Sequence, residues 1–183
     1  GSEKSLQGIV FNPNIPSEEC FISPKRGEAE GIVYATKPLS YQGQLIDKFW
    51  IRFENGKAVE WDAETGKDLL TRMIGMDENA GKLGELALIP CDSPINNSGI
   101  LFYETLFDEN ASCHVALGEG FPECVEGHEN MTMEECWKEG INESLIHVDF
   151  MIGTPDLSIT GTTHSGEEIP VFVGGDFALG FCT

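Results

Sequence analysis

The chain has 183 residues, and 31 acidic against 11 basic residues give it a formal net charge of −20 at pH 7. A charge of that sign repels phosphate backbones and argues against a nucleic-acid partner. The length suffices for one domain with a hydrophobic core, and no apolar run approaches the roughly 20 residues of a membrane-spanning helix.

The first half of the chain is predicted to be mostly extended. Residues 14–21 form an extended segment among several prolines, and residues 30–36 form a short strand. Two further strands, 48–54 and 57–62, flank the dipeptide Asn55-Gly56. That dipeptide is the strongest short signal for a two-residue β-hairpin, so we expect the two strands to pair antiparallel.

Two helices are predicted, with a strand between them. Residues 67–75 carry apolar side chains at helical spacing, and residues 85–90 are typical of a strand. Thr132 followed by Glu135 matches a capping box for a short helix that ends near Gly140.

The last third of the chain is predicted to contain a buried strand and a closing hairpin. The apolar run LIHVDFM predicts a strand over residues 145–151, and residues 157–160 and 169–173 form a hairpin around Ser165-Gly166. Together these elements predict an α+β fold, mainly antiparallel β-sheet with a few short helices.

The strand over residues 145–151 contains the first candidate site. His147 and Asp149 are two residues apart, so their side chains point to the same face, which Leu145 and Met151 continue. Burial of charge is costly unless the group is paired or bound to a metal. The pair therefore indicates either a His–Asp hydrogen bond in the core or a metal site, and these alternatives stay open.

The other three histidines lie in different surroundings. His128 is in the polar loop EGHEN and His164 is at the tip of a hairpin, so both are predicted to be exposed. His114 lies in the apolar stretch ASCHVALG. A hydrogen-bonded core histidine is the plainer interpretation of His114, and a metal ligand is the alternative.

Three glutamates complete the candidate set. Glu85 precedes a buried-looking run, and Glu18 and Glu19 are neighbours in the predicted extended segment. Neighbours on an extended chain point to opposite faces, so only one of Glu18 and Glu19 can reach a given site.

These side chains form a nitrogen and oxygen ligand set without thiolates. Such a set suits zinc, cobalt or manganese. Five ligands with a bridging carboxylate can hold two ions about 3.5–4 Å apart, the usual equipment for amide hydrolysis. We expect two divalent metal ions of this kind.

Six motifs occur in an order that resembles a known family. They are NIPSEE (14–19), ATKPLSY (35–41), LGELALIP (83–90), LFDENASCH (106–114), ALGEGFPE (116–123) and NESLIHVDFMIG (142–153). The chain resembles the C-terminal catalytic region of the aminopeptidase T / aminopeptidase S metallopeptidases, also called thermophilic aminopeptidases, from about residue 9 to about residue 174.

The resemblance implies an activity and a role for each residue. The family consists of cytoplasmic, dimeric aminopeptidases with two divalent metals, which act on peptide substrates. Carried onto this chain, it implies five metal ligands, with Glu85 bridging: Glu19, Glu85, His114, His147 and Asp149. Glu18 is implied as a possible catalytic base, and the roles of Glu18 and Glu19 could be exchanged.

The chain departs from the family pattern in two respects. The family tyrosine thought to assist catalysis is Phe121 here, and the ring lacks a hydroxyl that can donate a hydrogen bond. The large N-terminal domain of the family does not precede this region, so we expect a single catalytic domain over residues 1–183. An alternative is a metal-binding or dimerisation module with weak or no peptidase activity, and a further one is a β-rich interaction domain without a metal.

The cysteines favour a reducing compartment. None of the six forms a CxxC pair, and their spacings match no zinc-finger pattern. The N-terminal sequence GSEKSLQG also lacks the apolar segment of a secretion signal. We therefore expect free thiols and a cytoplasmic protein, with no membrane partner.

Overall fold

A computed structural model of the chain describes residues 3–11 and 19–178. Its described strands are β1 Glu3–Lys4, β2 Val10–Phe11, β3 Cys20–Ile22, β4 Gly31–Tyr34, β5 Leu39–Tyr41, β6 Gln44–Glu54, β7 Lys57–Thr65, β8 Leu83–Leu88, β9 His114–Gly118, β10 His147–Met151, β11 Ile159–Thr162, β12 Glu168–Val173 and β13 Asp176–Phe177. Its described α-helices are α1 Lys67–Ile74, α2 Pro94–Ser98, α3 Thr105–Asp108 and α4 Met133–Glu139. The pairings between these strands are antiparallel. The predicted α+β class, mainly antiparallel sheet with short helices, is therefore confirmed.

The hairpin predicted at Asn55-Gly56 joins β6 and β7. Both turn residues have positive φ, 50° at Asn55 and 72° at Gly56, as a tight hairpin turn requires. The two strands are longer than predicted and pair from Asp47↔Thr65 to Glu54↔Lys57. Strands β4 and β5 pair with the other edge of β6, which completes one sheet.

A second sheet has the strand order β10-β9-β8-β3 and packs against the first. Val115, Leu117 and Phe150 project from its inner face into the hydrophobic core. The ring of Phe150 lies 5.1 Å from that of Phe49 on β6, centroid to centroid. The buried face of α1 joins the same core. The outer face of the second sheet is consequently left for other side chains.

The two predicted helices are present. Helix α1 spans nearly the predicted residues, and its four apolar residues are buried. At the start of α4, Thr132 Oγ1 accepts from the Glu135 amide, and the Glu135 carboxylate accepts from the Thr132 amide. This is the predicted capping box, and the helix ends at Gly140 as expected.

Some strand boundaries differ from the prediction. Strand β10 begins at His147, and Leu145 is 84% exposed, so the prediction that Leu145 continues the buried face is wrong. Strand β8 begins at Leu83, two residues earlier than expected, and its register with β9 shifts between Leu83 and Glu85. Of the predicted extended segment 14–21, residues 14–18 lie outside the described residues, and Cys20 and Phe21 belong to β3.

The closing hairpin is formed by β11 and β12, with Ser165-Gly166 in its turn as predicted. Strand β13 pairs with the outer edge of β12. None of the helices in the described part of the chain has the length and apolar character needed to cross a bilayer.

Candidate metal centre

The outer face of the second sheet gathers polar side chains around its central strand β9. Glu85 on β8 and Asp149 on β10 are both register partners of Ala116. The small side chain of Ala116 leaves room above it for the two carboxylates. His114 opens β9, and His147, opposite Gly118, opens β10. Alternation along the strands puts these four side chains on the face opposite the hydrophobic core.

Two groups of possible ligands form on this face, and Glu85 belongs to both. The first consists of Glu19, Glu85 and His114, and the second of Glu85, His147 and Asp149. Within each group the ligand atoms lie within 4.8 Å of one another. A carboxylate shared between two groups has the position of a bridging ligand.

The two imidazoles approach the carboxylates at different distances. His147 Nε2 lies 3.1 Å from Glu85 Oε2 and 3.2 Å from Asp149 Oδ1. His114 Nε2 lies 3.6 Å from Glu19 Oε2, 4.0 Å from Glu85 Oε1 and 3.9 Å from Asp149 Oδ1. The distances from His114 are too long for hydrogen bonds. The ligand atoms of a single zinc ion lie about 3–4 Å from one another, because each of them is about 2.0–2.2 Å from the metal.

Backbone carbonyls fix the orientation of both rings. His114 Nδ1 lies 2.9 Å from the Glu109 carbonyl oxygen, and His147 Nδ1 lies 2.7 Å from that of Glu119. A carbonyl oxygen only accepts hydrogen bonds, so Nδ1 carries the proton in each ring. In the neutral imidazole the lone pair is then on Nε2, which faces the carboxylates. Metal-ligating histidines are commonly oriented in this way.

The electrostatics of the cluster favour a bound cation. The pKa of Glu19 lies above its ordinary value, mainly because the carboxyl is buried. The His114 ring lowers this pKa, whereas the nearby carboxylates of Glu85 and Asp149 raise it further. Burial also raises the pKa of Asp149, but His147 and, to a smaller extent, His114 and Glu109 more than offset this effect, so the pKa is lowered. Several carboxylates thus share a buried space in which a positive charge would stabilise their ionised forms.

The donor set fits a divalent metal. Asp149 Oδ1 is buried, and no donor in the described region reaches it in hydrogen-bonding geometry, although His147 Nε2 is close. Carboxylate oxygens and imidazole nitrogens, without a thiolate, suit zinc, cobalt or manganese. The arrangement can therefore hold cations that a hydrolytic reaction needs.

The remaining predicted residues lie in several places. Glu18 lies outside the described residues, so its candidate role as a base stays a prediction. Phe121 lies beside the cluster, with its ring centroid 4.9 Å from that of His147 and 5.1 Å from that of Phe21. His164 is exposed as predicted, whereas His128 is half-buried at the start of a 3₁₀ turn.

Two residues of the centre were not selected from the sequence. Glu109 is buried, its carbonyl orients His114, and its side chain helps to lower the pKa of Asp149. Gly84 is placed where an added Cβ would lie 2.0 Å from the Glu119 carbonyl oxygen. Both residues belong to the motifs LFDENASCH and LGELALIP, but the motifs do not show which backbone atoms meet in the fold.

Replacement of Gly84 by alanine is expected to destabilise the protein by about 1–3 kcal/mol, because the new methyl group overlaps backbone that cannot move aside easily. The Glu119 carbonyl that it displaces is the partner of His147 Nδ1, so metal binding should weaken as well. Urea unfolding measures the first effect. Gly161→Ala is the control, since its nearest neighbour is a side-chain carbon of Val171 at 3.3 Å. Equal stability of the two variants would contradict the close approach at Gly84.

Metal binding at neutral pH is expected to release protons. Burial lowers the pKa of His147, but the adjacent Asp149 and Glu85 outweigh it and raise the pKa to about 11. The metal-free ring is then protonated at pH 7, and an ion must displace that proton, so metal affinity rises with pH. Calorimetric titration with zinc in buffers of different ionisation enthalpy should show release of at least about one proton per chain. If the measured binding enthalpy were the same in every buffer, no proton would be released, and His147 would be neutral before the metal binds.

Comparisons with known proteins agree on one family. The family model described as thermophilic metalloprotease (M29) matches residues 1–177. Aminopeptidase 2 of Geobacillus stearothermophilus is 46% identical over 179 residues, which cover 98% of this chain and 43% of that protein. Aminopeptidase AmpS of Bacillus subtilis is 49% identical over 172 residues, 94% of this chain and 42% of that protein.

A solved structure gives the same result for the fold. Wild-type AmpT from Thermus thermophilus superimposes with a TM-score of 0.87 at 42% sequence identity. The aligned region covers 98% of this chain and 44% of the AmpT chain. The chain therefore spans less than half the length of the relatives that it matches.

Proposed function

The chain belongs to the thermophilic metalloprotease (M29) family, and from that premise we propose that it is the catalytic domain of a dinuclear metallo-aminopeptidase, which removes N-terminal residues from peptides. The resemblance inferred from six sequence motifs is confirmed by this membership. The relatives are named aminopeptidases, and the chain spans about 43% of their length. Activity and substrate are consequently proposed for this chain from its own site.

The observation that carries the proposal is the position of Glu85. One oxygen lies 3.1 Å from His147 Nε2, and the other lies 4.0 Å from His114 Nε2. The two oxygens of one carboxylate thus face two separate groups of ligands. Two ions, one in each group, would place a metal against each oxygen of this carboxylate.

Each residue then has a definite role. Glu19 and His114 would hold one ion, His147 and Asp149 would hold the other, and Glu85 would be shared between them. Such ions would supply an activated water molecule and polarisation of the scissile carbonyl. The carbonyls of Glu109 and Glu119 keep the imidazoles in the ligating tautomer. Glu18 is the proposed general base.

The domain organisation and partners follow from the same proposal. Residues 1–183 form one catalytic domain, and its partners are peptide substrates and, in a homodimer, a second copy of the chain. The net charge of −20 disfavours nucleic acid. Free thiols are consistent with a cytoplasmic protein, and five described cysteines are free.

Phe121 supports an alternative function. Its ring lies against His147, where the resemblance implies a tyrosine, and it has no hydroxyl to stabilise a developing oxyanion. The metal cluster does not depend on that hydroxyl. The chain would then be a metal-binding or dimerisation module of the same family with weak or no peptidase activity.

The test combines metal analysis with an aminopeptidase assay. We expect the purified chain to bind two zinc, cobalt or manganese ions and to hydrolyse an aminoacyl-p-nitroanilide. If the chain binds metal but hydrolyses no substrate with any of the three ions, the proposal of an enzyme is rejected. The alternative, a metal-binding or dimerisation module, would then remain.

Removal of metal is expected to lower the melting temperature, because an ion that binds only the folded state stabilises it. Scanning calorimetry before and after EDTA treatment measures the shift, and re-addition of zinc should reverse it. An unchanged melting temperature would favour a core His147–Asp149 hydrogen bond without a metal.

A further inference from the structure

A second concave site lies beside the metal centre and shares no ligand with it. It is a cleft of about 130 Å³ between the segment Lys37–Pro38 and the chain around α2 and α3. Its walls are mostly apolar, formed by Pro38, Ile95, Gly99, Ile100, Leu101 and Ala111. Two residues of opposite charge, Lys37 and Asp108, also line it.

The two charged side chains do not neutralise each other. Within the described residues, Lys37 forms no ion pair, even with Asp108 across the same cleft. Lys37 is half-buried, with its side chain along the cleft wall. An unpaired charge at the edge of an apolar cleft favours a ligand that carries the opposite charge.

Asp108 is held rigidly in place. It is 5% exposed, Oδ1 accepts from the Phe102 amide at 2.8 Å, and Oδ2 accepts from the Glu104 amide at 3.1 Å. Each carboxylate oxygen has two lone pairs, so both retain the capacity to accept one more hydrogen bond. The cleft therefore presents a fixed negative group and a positive group around an apolar space.

The volume limits the size of the ligand. A dry cavity of about 150 Å³ in another protein binds benzene, so about 130 Å³ suits a body of similar or smaller size. An aliphatic side chain of three or four carbons fits this volume.

We propose that this cleft binds a free aliphatic α-amino acid. Lys37 binds the carboxylate of the amino acid, and Asp108 binds its ammonium group. The side chain of the bound amino acid packs on Ile95, Ile100 and Leu101. An α-amino acid is the simplest molecule that combines an apolar body with both charges. It is also the product of the proposed reaction, but the binding itself does not depend on the metal centre.

The cleft lies close enough to the centre to respond to its product. The Thr36 amide, one residue before Lys37, donates to the Met151 carbonyl at 2.8 Å. Met151 is the register partner of His114. On the other wall, Asp108 is followed by Glu109, whose carbonyl orients the same histidine.

Calorimetric titration with L-leucine tests the proposal. Measurements on both the metal-loaded and the EDTA-treated chain separate this site from chelation by bound metal. L-leucine should saturate one site in both forms. Two analogues with the same branched skeleton remove one charge each: 4-methylpentanoate lacks the ammonium and 3-methylbutylamine lacks the carboxylate. Each should bind at least about tenfold more weakly, as expected for loss of a charged hydrogen bond.

A pair of variants locates the site. Lys37→Met keeps an unbranched side chain of nearly the same length without the charge and should weaken leucine binding at least about tenfold, whereas Lys57→Met, at a lysine that does not line the cleft, should leave it unchanged. The proposal is rejected if leucine does not saturate, if the analogues bind equally well, or if Lys37→Met has no effect. Any of these three outcomes would reject the amino-acid site without bearing on the metal content or peptidase activity of the chain. Failure of this proposal can therefore be distinguished from failure of the proposed function.

Discussion

Substitution of Glu85 by glutamine is expected to weaken the binding of both metal ions at once. The variant keeps the size of the side chain but removes the negative charge that two groups of ligands share. Loss of a residue that merely orients a ligand costs about 10–100-fold in metal affinity, so loss of a bridging ligand should cost at least about 100-fold. Peptidase activity should fall with metal content.

Competition with a chromophoric chelator measures the affinity, and elemental analysis measures the number of ions. Glu168→Gln is the matched control, because that glutamate is exposed at the start of β12. Asp149→Asn provides the contrast, since Asp149 belongs to only one group and its loss should remove one ion. If Glu85→Gln kept two ions at wild-type affinity, Glu85 would not be a bridge and the dinuclear proposal would fail.

The second large effect is expected from Phe121→Tyr. The ring packs against one of the proposed ligands, 4.9 Å from the His147 imidazole between centroids, and tyrosine adds a hydrogen-bond donor to it. One donor to a developing oxyanion changes kcat on the order of 10²–10³-fold. We therefore expect kcat to rise by that factor while KM and metal content change little.

Steady-state kinetics on an aminoacyl-p-nitroanilide measure this effect. Phe121→Leu is the control, because it removes the ring without adding a hydroxyl and should not raise kcat. Activity that appears only in the tyrosine variant would show that the natural chain is a binding module. Substantial activity in the natural chain, unchanged by tyrosine, would mean that another group already supplies the hydrogen bond.

Elements defined by neighbouring residues could be predicted from the sequence. The Asn55-Gly56 turn needs positive φ at two adjacent positions, and the Thr132–Glu135 capping box joins groups three residues apart. Both signals are complete within a few residues, so the local chain determines the outcome. Strand edges were less accurate, as at β8 and β10, because pairing with a neighbouring strand decides where a strand begins.

The candidate ligands were also recognised from the sequence, by residue type and by six ordered motifs. The HVD spacing alone places His147 and Asp149 on one face of a strand. It does not show which atoms meet them. The 3.1 Å approach of Glu85 to His147 depends on β8 and β10 both pairing with β9.

The sequence by itself therefore determined strands β4, β6, β7, β8 and β10, helices α1 and α4, and the residue types of a metal site, but not the central strand β9 or helices α2 and α3. Only the tertiary structure decided that Glu85 lies between two groups, that two carbonyls set the imidazole tautomers, and that Lys37 faces Asp108 across a cleft. The reason is distance along the chain. Local patterns are read from a few consecutive residues, whereas these contacts join segments tens of residues apart, and their geometry is fixed only when the sheet register and the core pack together.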